Sequence, residues 1–263
     1  MNIERKNLPI GVFDSGIGGL TIVREINRVL PAENILFLAD RANLPYGEKS
    51  EDEIMELTQA IVPMLITEGA KLIVIACNSA SLAVVERLRK RYPETPFVAV
   101  VPAVKLAAAR TKNGTVAVFA TETTLKSALY EKLKTEHAGD VTVIDIPCPK
   151  WVRMIESGEI SGPDIKNPIE EALRAGADQL VLGCTHYPFL ADYARSVAHN
   201  RAELLESSSA VVKQVRRILI ANEMLATGGH AVNRYLTSSQ PERSGQVASM
   251  LLDQPIRFQS VRR

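Results

Sequence analysis

Short apolar runs rich in β-branched residues alternate along the chain with longer segments in which apolar residues recur every three or four positions. The runs predict strands and the periodic segments predict helices. This alternation is typical of an α/β fold, in which a parallel sheet carries helices on both faces. The predicted strands are 10–13, 35–38, 72–76, 97–101, 116–119, 141–146 and 179–182.

Several of the predicted helices have clear start signals. Ser50, followed three residues later by Glu53, forms a capping box ahead of an apolar helical face. Pro241 is placed to open a helix near the C-terminal end. One continuous helix is predicted around 125–133.

The β-α pattern occurs twice, which predicts two similar parallel-sheet α/β domains facing each other across a central cleft. The first domain is predicted to comprise residues 1–99 and 210–263, and the second residues 100–209. The C-terminal stretch adds helices and the short apolar segments 230–236 and 256–258. Because this stretch is too small for a separate domain, we expect it to pack back on the first.

Composition narrows the function classes. The chain has 263 residues, of which 46% are hydrophobic and 23% charged, as in an ordinary folded protein. A net charge of +1 leaves no basic surface for nucleic acid or an anionic membrane, so neither is predicted as a partner.

The apolar runs are far shorter than the ~20 residues that cross a bilayer. With no apolar leader at the N-terminus and an odd number of cysteines, three, the sequence predicts a cytoplasmic protein with reduced thiols.

Two of the three cysteines stand in matching contexts. Cys77 and Cys184 each follow an apolar strand and a small residue, and each precedes polar residues. Open α/β sheets bind their ligands at the carboxyl ends of strands, where these thiols are expected. A thiol at a helix N-terminus is favoured as thiolate, which can act as a base or nucleophile. Cys148, between two prolines, lacks this context and is interpreted as structural.

Other interpretations of the cysteines remain open at this point. A buried cysteine can serve only as a small hydrophobe. No metal site is predicted, because the chain has no CxxC pair and few histidines. A cysteine hydrolase would need a histidine beside Cys184. His186 is only two residues away and so is poorly placed to meet it, which leaves His230.

A glycine-rich segment follows the first strand. Gly16, Gly18 and Gly19 suggest backbone N–H groups that could hold a phosphate, a dinucleotide or a carboxylate. Thr21 stands where the dinucleotide motif has glycine, and no P-loop lysine is present. Tight packing between strand and helix is the simpler alternative.

Taken together, these segments resemble the cofactor-independent aspartate/glutamate racemase family. The resemblance implies two flavodoxin-like domains and interconversion of L- and D-glutamate without cofactor or metal, supplying D-glutamate for peptidoglycan. It also implies a homodimer. The matching segments follow the family order over almost the whole chain: 13–20, 39–40 with 45–47, 76–79, 182–188 and, more weakly, 121–127.

The resemblance also implies roles for individual residues. Cys77 would exchange the α-proton of D-glutamate and Cys184 that of L-glutamate, on opposite faces of one carbon. Asp14, Glu156 and His186 would assist them. The implied substrate contacts are Ser15, Pro45, Tyr46, Gly47, Asn78, Ser79, Thr121, Thr124 and Thr185.

Simpler roles compete for the three auxiliary residues. Asp14 could cap the following helix, and His186 could only pack beside the cysteine. Glu156 lies three residues from Arg153, a spacing typical of an exposed ion pair. At the level of function, the alternatives are an aspartate racemase, a nucleotide-binding oxidoreductase that uses the glycine segment, and an amino-acid-binding protein without activity.

Overall fold

The computed structural model describes residues 3–228 and 231–261, so His230 lies outside the described residues. In this part of the chain, strands and helices alternate as the hydrophobic pattern predicts. The strands are β1 (Ile10–Asp14), β2 (Ile35–Ala39), β3 (Leu72–Ile75), β4 (Phe97–Ala99), β5 (Thr115–Ala120), β6 (Thr142–Pro147), β7 (Gln179–Leu182), β8 (Glu203–Leu205), β9 (Asn233–Thr237) and β10 (Phe258–Ser260). The helices are α1 (Ile3–Asn7), α2 (Leu20–Val29), α3 (Glu51–Thr67), α4 (Asn78–Arg91), α5 (Val104–Arg110), α6 (Glu122–Lys126), α7 (Ala128–His137), α8 (Pro149–Ser157), α9 (Gly162–Arg174), α10 (Ala191–Ala198), α11 (Ser208–Ala221) and α12 (Pro241–Leu252).

The strands form two separate sheets, and every pair of neighbouring strands is parallel. The first sheet has the order β10-β9-β2-β1-β3-β4, and the second has the order β6-β5-β7-β8. We call each sheet with the helices packed on it a lobe. The predicted fold class, two parallel-sheet α/β units, is confirmed.

Four strands of the first sheet and the whole second sheet share one topology. In each, the first strand along the chain lies between the second and the third, and the fourth is outside the third. Cys77 follows the third strand of the first lobe, and Cys184 follows the third strand of the second. The two thiols therefore occupy equivalent positions in two copies of one topology.

Apolar side chains cover both faces of each sheet. In the first lobe, α2, α11 and α12 pack on one face, and α3 and α4 pack on the other. In the second lobe, α8, α9 and α10 cover one face, and α5 and α7 cover the other. Because helices cover both faces of each sheet, a polar functional site is expected at the carboxyl ends of the strands.

The C-terminal part of the chain joins the first sheet. Strand β9 pairs with β2, and β10 pairs with β9. Helix α11 packs against α2 of the same lobe. The limits of the two predicted domains stay a prediction.

Local sequence signals account for most element ends. The capping box at Ser50 is present, because its hydroxyl accepts from the Glu53 N–H and the Glu53 carboxylate accepts from the Ser50 N–H. Pro241 opens α12 as expected. The single helix predicted around 125–133 is wrong, because Ser127 adopts an extended backbone (φ −69°, ψ 134°) that ends α6 and begins α7.

No helix within residues 3–228 and 231–261 is long and apolar enough to span a membrane.

Candidate active site

Each cysteine follows a strand whose end is held in the same way. The residue before it donates its N–H to a carbonyl of the neighbouring strand: Ala76 to Phe13 (2.8 Å), and Gly183 to Phe119 (2.7 Å). A small residue is needed here, since a Cβ on Gly183 would lie 2.9 Å from that carbonyl oxygen. The matching motifs noticed in the sequence therefore correspond to the same local structure.

Cys77 is the N-cap of α4, but its surroundings favour the neutral thiol. Burial and the nearby Asp14 carboxylate raise the pKa of Cys77 well above its ordinary value, and a negative charge on Cys184 raises it further. The Ala80 N–H and the Ser15 hydroxyl, whose oxygen is 3.8 Å from Sγ, lower it by less. The expected effect of the helix N-terminus is thus outweighed.

Cys184 lies in a turn rather than at a helix start, because the next element is a short 3₁₀ helix, Tyr187–Leu190. Its main neighbour is His186, whose Nδ1 is 3.7 Å from Sγ. The expectation that residues two apart would not meet is therefore wrong here. A turn, unlike a helix, can bring the side chains of residues two apart to one side.

His186 is buried and bonded at both ring nitrogens. Nε2 lies 2.8 Å from Oε1 of Glu156, while Nδ1 faces Cys184. Burial alone would lower the pKa of His186, but the hydrogen bonds to Cys184 and Glu156 raise it well above its ordinary value. The contacts with Glu156 and Cys184 therefore favour the protonated form of His186, which can donate a hydrogen bond to a Cys184 thiolate.

Glu156 is only 4% exposed, so its predicted alternative role in a surface ion pair with Arg153 is wrong. Arg153 pairs instead with Glu48. Burial would raise the pKa of Glu156, but the His186 hydrogen bond, the charges of His186 and Arg41, and the Ile17 N–H together hold it below its ordinary value. A carboxylate is thus stabilised behind His186.

Three polar side chains connect the surroundings of the two thiols. Ser15 Oγ is 3.8 Å from Cys77 Sγ and 3.3 Å from Asp14 Oδ1. The other oxygen of Asp14 accepts a hydrogen bond from the Thr185 hydroxyl at 3.1 Å. Because Thr185 is next to Cys184 in the chain, Asp14 reaches from the first lobe to the second.

The glycine segment is where the lobes touch. The Ile17 N–H donates to Glu156 Oε1 at 2.6 Å, and Gly18 N lies 3.2 Å from His186 Nε2. A Cβ on Gly16 would lie 1.9 Å from Glu156 Oε1, and one on Gly18 would lie 2.3 Å from His186 Nδ1. The backbone here already holds a carboxylate of the protein itself, which leaves no room for a phosphate.

A cluster of hydroxyl groups also spans the lobes. Ser79 Oγ is 2.9 Å from Thr121 Oγ1 and 3.4 Å from Thr124 Oγ1. Gly47 packs on Thr121, where a Cβ would come within 2.6 Å. All these side chains are buried, and they offer donors for an anionic group at the carboxyl ends of β3 and β5.

The loop that holds Gly47 is fixed by Asp40, a residue not among the predicted site residues. Tyr46 Oη donates to Asp40 Oδ2 at 2.6 Å, and Ser238 donates to Oδ1 at 2.7 Å. Pro45 precedes Tyr46 and is half-buried. The position of Asp40 directly after a buried strand was a signal that could have found it.

Asn78, directly after Cys77, has a buried polar atom without a hydrogen-bond partner. Asn78 Oδ1 accepts no hydrogen bond, and the side chain lines a narrow cavity together with Cys184 and Thr185. A buried carbonyl oxygen without a donor is costly, so this atom fits a donor group on a ligand. Of the fourteen residues predicted for the site, thirteen are buried and Pro45 is half-buried.

The two thiols should differ in chemical reactivity. We expect iodoacetamide to alkylate Cys184 before Cys77 at neutral pH, because the thiolate is the nucleophile and the high pKa of Cys77 keeps it protonated. The two residues are equally accessible, at 7% and 6% exposed, so access does not favour either. Peptide mass spectrometry across a pH series measures both rates. Faster labelling of Cys77 would contradict the assignment, and His186→Gln should slow labelling of Cys184 alone.

The chain is similar to known racemases. It matches the family described as Asp/Glu/Hydantoin racemase over residues 10–215. It is 44% identical over 250 residues to a glutamate racemase of Pseudomonas aeruginosa, covering 94% of each chain. A glutamate racemase structure from Bacillus anthracis superposes with a TM-score of 0.89 at 29% identity and 98% coverage of both chains. Another, from Francisella tularensis in complex with D-glutamate, gives 0.83 at 31% identity and 98% coverage of both.

Two parallel-sheet lobes, each with a thiol at the end of its third strand, define a class of proteins that can move protons at opposite faces of one carbon. The chain belongs to the Asp/Glu/Hydantoin racemase family. The resemblance found in the sequence is confirmed.

Proposed function

We propose that the protein is a glutamate racemase that interconverts L- and D-glutamate with two cysteines and no cofactor. The observation that carries this function is the pair of free, buried thiols, one from each lobe, held in different protonation environments. Inversion at the α-carbon needs a base on one face and an acid on the other. A thiolate at Cys184 and a thiol at Cys77 meet that need in one direction, and the reverse pair meets it in the other.

In the direction from L- to D-glutamate, the Cys184 thiolate removes the α-proton and Cys77 donates its own proton to the opposite face. After this step Cys184 is a thiol and Cys77 is a thiolate, the reverse of the starting state. Proton exchange then returns both cysteines to the starting state. This assignment of faces follows the family. His186 supports it, because its Nδ1, 3.7 Å away, can donate to the Cys184 thiolate.

Substrate binding is proposed to use hydroxyl and amide groups. The cluster of Ser79, Thr121 and Thr124 offers hydrogen-bond donors for a carboxylate without cancelling the charge of the substrate ammonium. The unpartnered Asn78 Oδ1 would accept from that ammonium. The N-terminus of α4, which starts at Asn78, favours an anion nearby.

Three further parts of the function are proposals. We propose a cytoplasmic location, supported by three cysteines that are all free within the described residues. We also propose a homodimer, as the family resemblance implies, and a role in supplying D-glutamate for peptidoglycan. Sedimentation of the purified chain tests the dimer.

The direct test is isotope exchange during racemisation. We expect L-glutamate in deuterated buffer, with no added cofactor, to lose its optical rotation and gain deuterium at the α-carbon at the same time. Polarimetry and mass spectrometry measure the two signals. An absence of both at high protein concentration would refute the function, and binding without exchange would indicate an amino-acid-binding protein instead. L-aspartate, shorter by one methylene, is the comparison substrate, and we expect it to react more slowly.

A further inference from the structure

Arg41 is a charged residue at the site and is not among the residues predicted from the sequence. It lies in the 3₁₀ turn after β2, in the first lobe, and its side chain is 12% exposed. Its Nε is 2.8 Å from Oε2 of Glu156, which belongs to α8 in the second lobe. Its terminal nitrogens donate to the Ser244 hydroxyl (2.9 Å) and to the Glu156 carbonyl (3.3 Å).

The two oxygens of the Glu156 carboxylate have different partners. Oε1 accepts from the Ile17 N–H and lies against His186 Nε2. Oε2 is buried and accepts no aligned hydrogen bond, so the Arg41 guanidinium is its counter-charge. A buried carboxylate oxygen left without a counter-charge favours protonation of the group.

We propose that Arg41 is a positioning residue for racemisation: it keeps Glu156 ionised and oriented, so that Glu156 holds His186 against Cys184. Arg41 does not touch the thiols and acts only through Glu156. Because Arg41 comes from the first lobe, the proton-transfer group of the second lobe depends on a contact made across the cleft. This inference rests on the proposed function.

The charged and titratable groups around Glu156 support this role. They are Arg41 from the first lobe, Asp14 at the end of β1, and His186 beside Cys184. Burial and the nearby Glu156 raise the pKa of Asp14, so this acidic neighbour offers Glu156 no compensating positive charge. Without Arg41, the buried Glu156 carboxylate loses one of its two positive partners. Proton uptake by Glu156 relieves that loss, and a neutral Glu156 holds His186 less firmly.

The alternative is that Arg41 only fastens the lobes together. A matched pair is available to separate the two roles. Arg153 of the second lobe pairs with Glu48 of the first, so it also joins the lobes by an Arg–Glu contact. This pair is solvent-exposed, with side chains 63% and 48% accessible, whereas the Arg41–Glu156 pair is largely buried. Arg153→Gln is therefore the control for loss of an interlobe ion pair.

The experiment compares the wild-type protein with Arg41→Gln, Arg41→Lys and Arg153→Gln. For each, kcat, KM and the pH dependence of kcat/KM are measured with L-glutamate, together with the thermal unfolding midpoint. In Arg41→Gln we expect the acid limb of the profile to move up by about one pH unit, because Glu156 protonates more easily. We expect kcat at the optimum to fall about ten-fold as His186 loses its orientation. Arg41→Lys, which keeps the charge, should retain an acid limb close to that of the wild type.

Two outcomes would overturn the inference while leaving racemase activity itself intact. One is an Arg41→Gln protein with a wild-type pH profile and kcat, whatever its unfolding midpoint. The other is an Arg41→Lys protein whose acid limb shifts as much as that of Arg41→Gln. If Arg41→Gln does not fold, Arg41→Lys is compared with Arg153→Gln instead. An acid limb at the wild-type position in both variants supports the role of the Arg41 charge. A shift of the acid limb in Arg41→Lys alone overturns the inference. A wild-type protein without racemase activity would instead refute the proposed function.

Discussion

Replacing either Cys77 or Cys184 by alanine is expected to abolish racemisation of glutamate. Each substitution removes the acid or base that we propose for one face of the α-carbon, so inversion could not be completed from either enantiomer. General acid–base groups contribute about 10²–10⁴-fold to rate, and we expect a loss of at least that size. Circular dichroism of L-glutamate over time measures it.

Cys148→Ala is the matched control for this experiment. Cys148 is also a buried thiol in the second lobe, but it packs in the apolar core, and burial raises its pKa to about 12. Its loss should leave racemisation close to the wild-type rate. Substantial activity in Cys77→Ala or Cys184→Ala would exclude the two-thiol mechanism, even if the chain proved to be a racemase.

Gly18→Ala is expected to inactivate the protein by displacing His186. The added Cβ would lie 2.3, 2.6 and 2.7 Å from three atoms of the imidazole ring, so the whole ring must move. The ring is buried and is bonded to Glu156 and Cys184, and its nearest clashing atom, Nδ1, is the one that faces the sulfur. Misplacement by about 1 Å near reacting groups can cost about 10²-fold, and we expect a fall in kcat of that order.

The matched control for the glycine is Gly139→Ala. A Cβ there meets only the Thr135 carbonyl oxygen at 3.8 Å, an ordinary contact, and the residue lies outside the cleft. We expect this variant to keep wild-type kcat. Near-normal kcat in Gly18→Ala would show that His186 does not need its present position, and circular dichroism of both variants would establish that each is folded.

The parts of the site carried by short, continuous motifs could be predicted from the sequence. A strand followed by a small residue and a cysteine has a definite structural meaning, because parallel strands place their carboxyl ends at one edge of a sheet. The positions of Cys77 and Cys184 are confirmed on this basis. The hydroxyl residues beside them follow from the same rule, since they are the next residues along the chain.

The contacts between lobes could not be predicted in the same way. Glu156 lies 139 positions from Ile17, to which it bonds, and no local pattern encodes that pairing. The helical spacing to Arg153 suggested a surface pair, which is the simplest interpretation when only neighbours along the chain are visible. Arg41 was missed for the same reason, because its partners Glu156 and Ser244 belong to distant elements.

Thermodynamics limits what the difference between the two thiols can do. L- and D-glutamate have equal free energies in water, so at equilibrium they are present in equal amounts, and kcat/KM must be the same in both directions whatever surrounds each sulfur. The asymmetry between Cys184, beside His186, and Cys77, near Asp14, can therefore appear only as compensating changes in kcat and KM. A substitution on either side of the cleft must slow both directions by one common factor in kcat/KM.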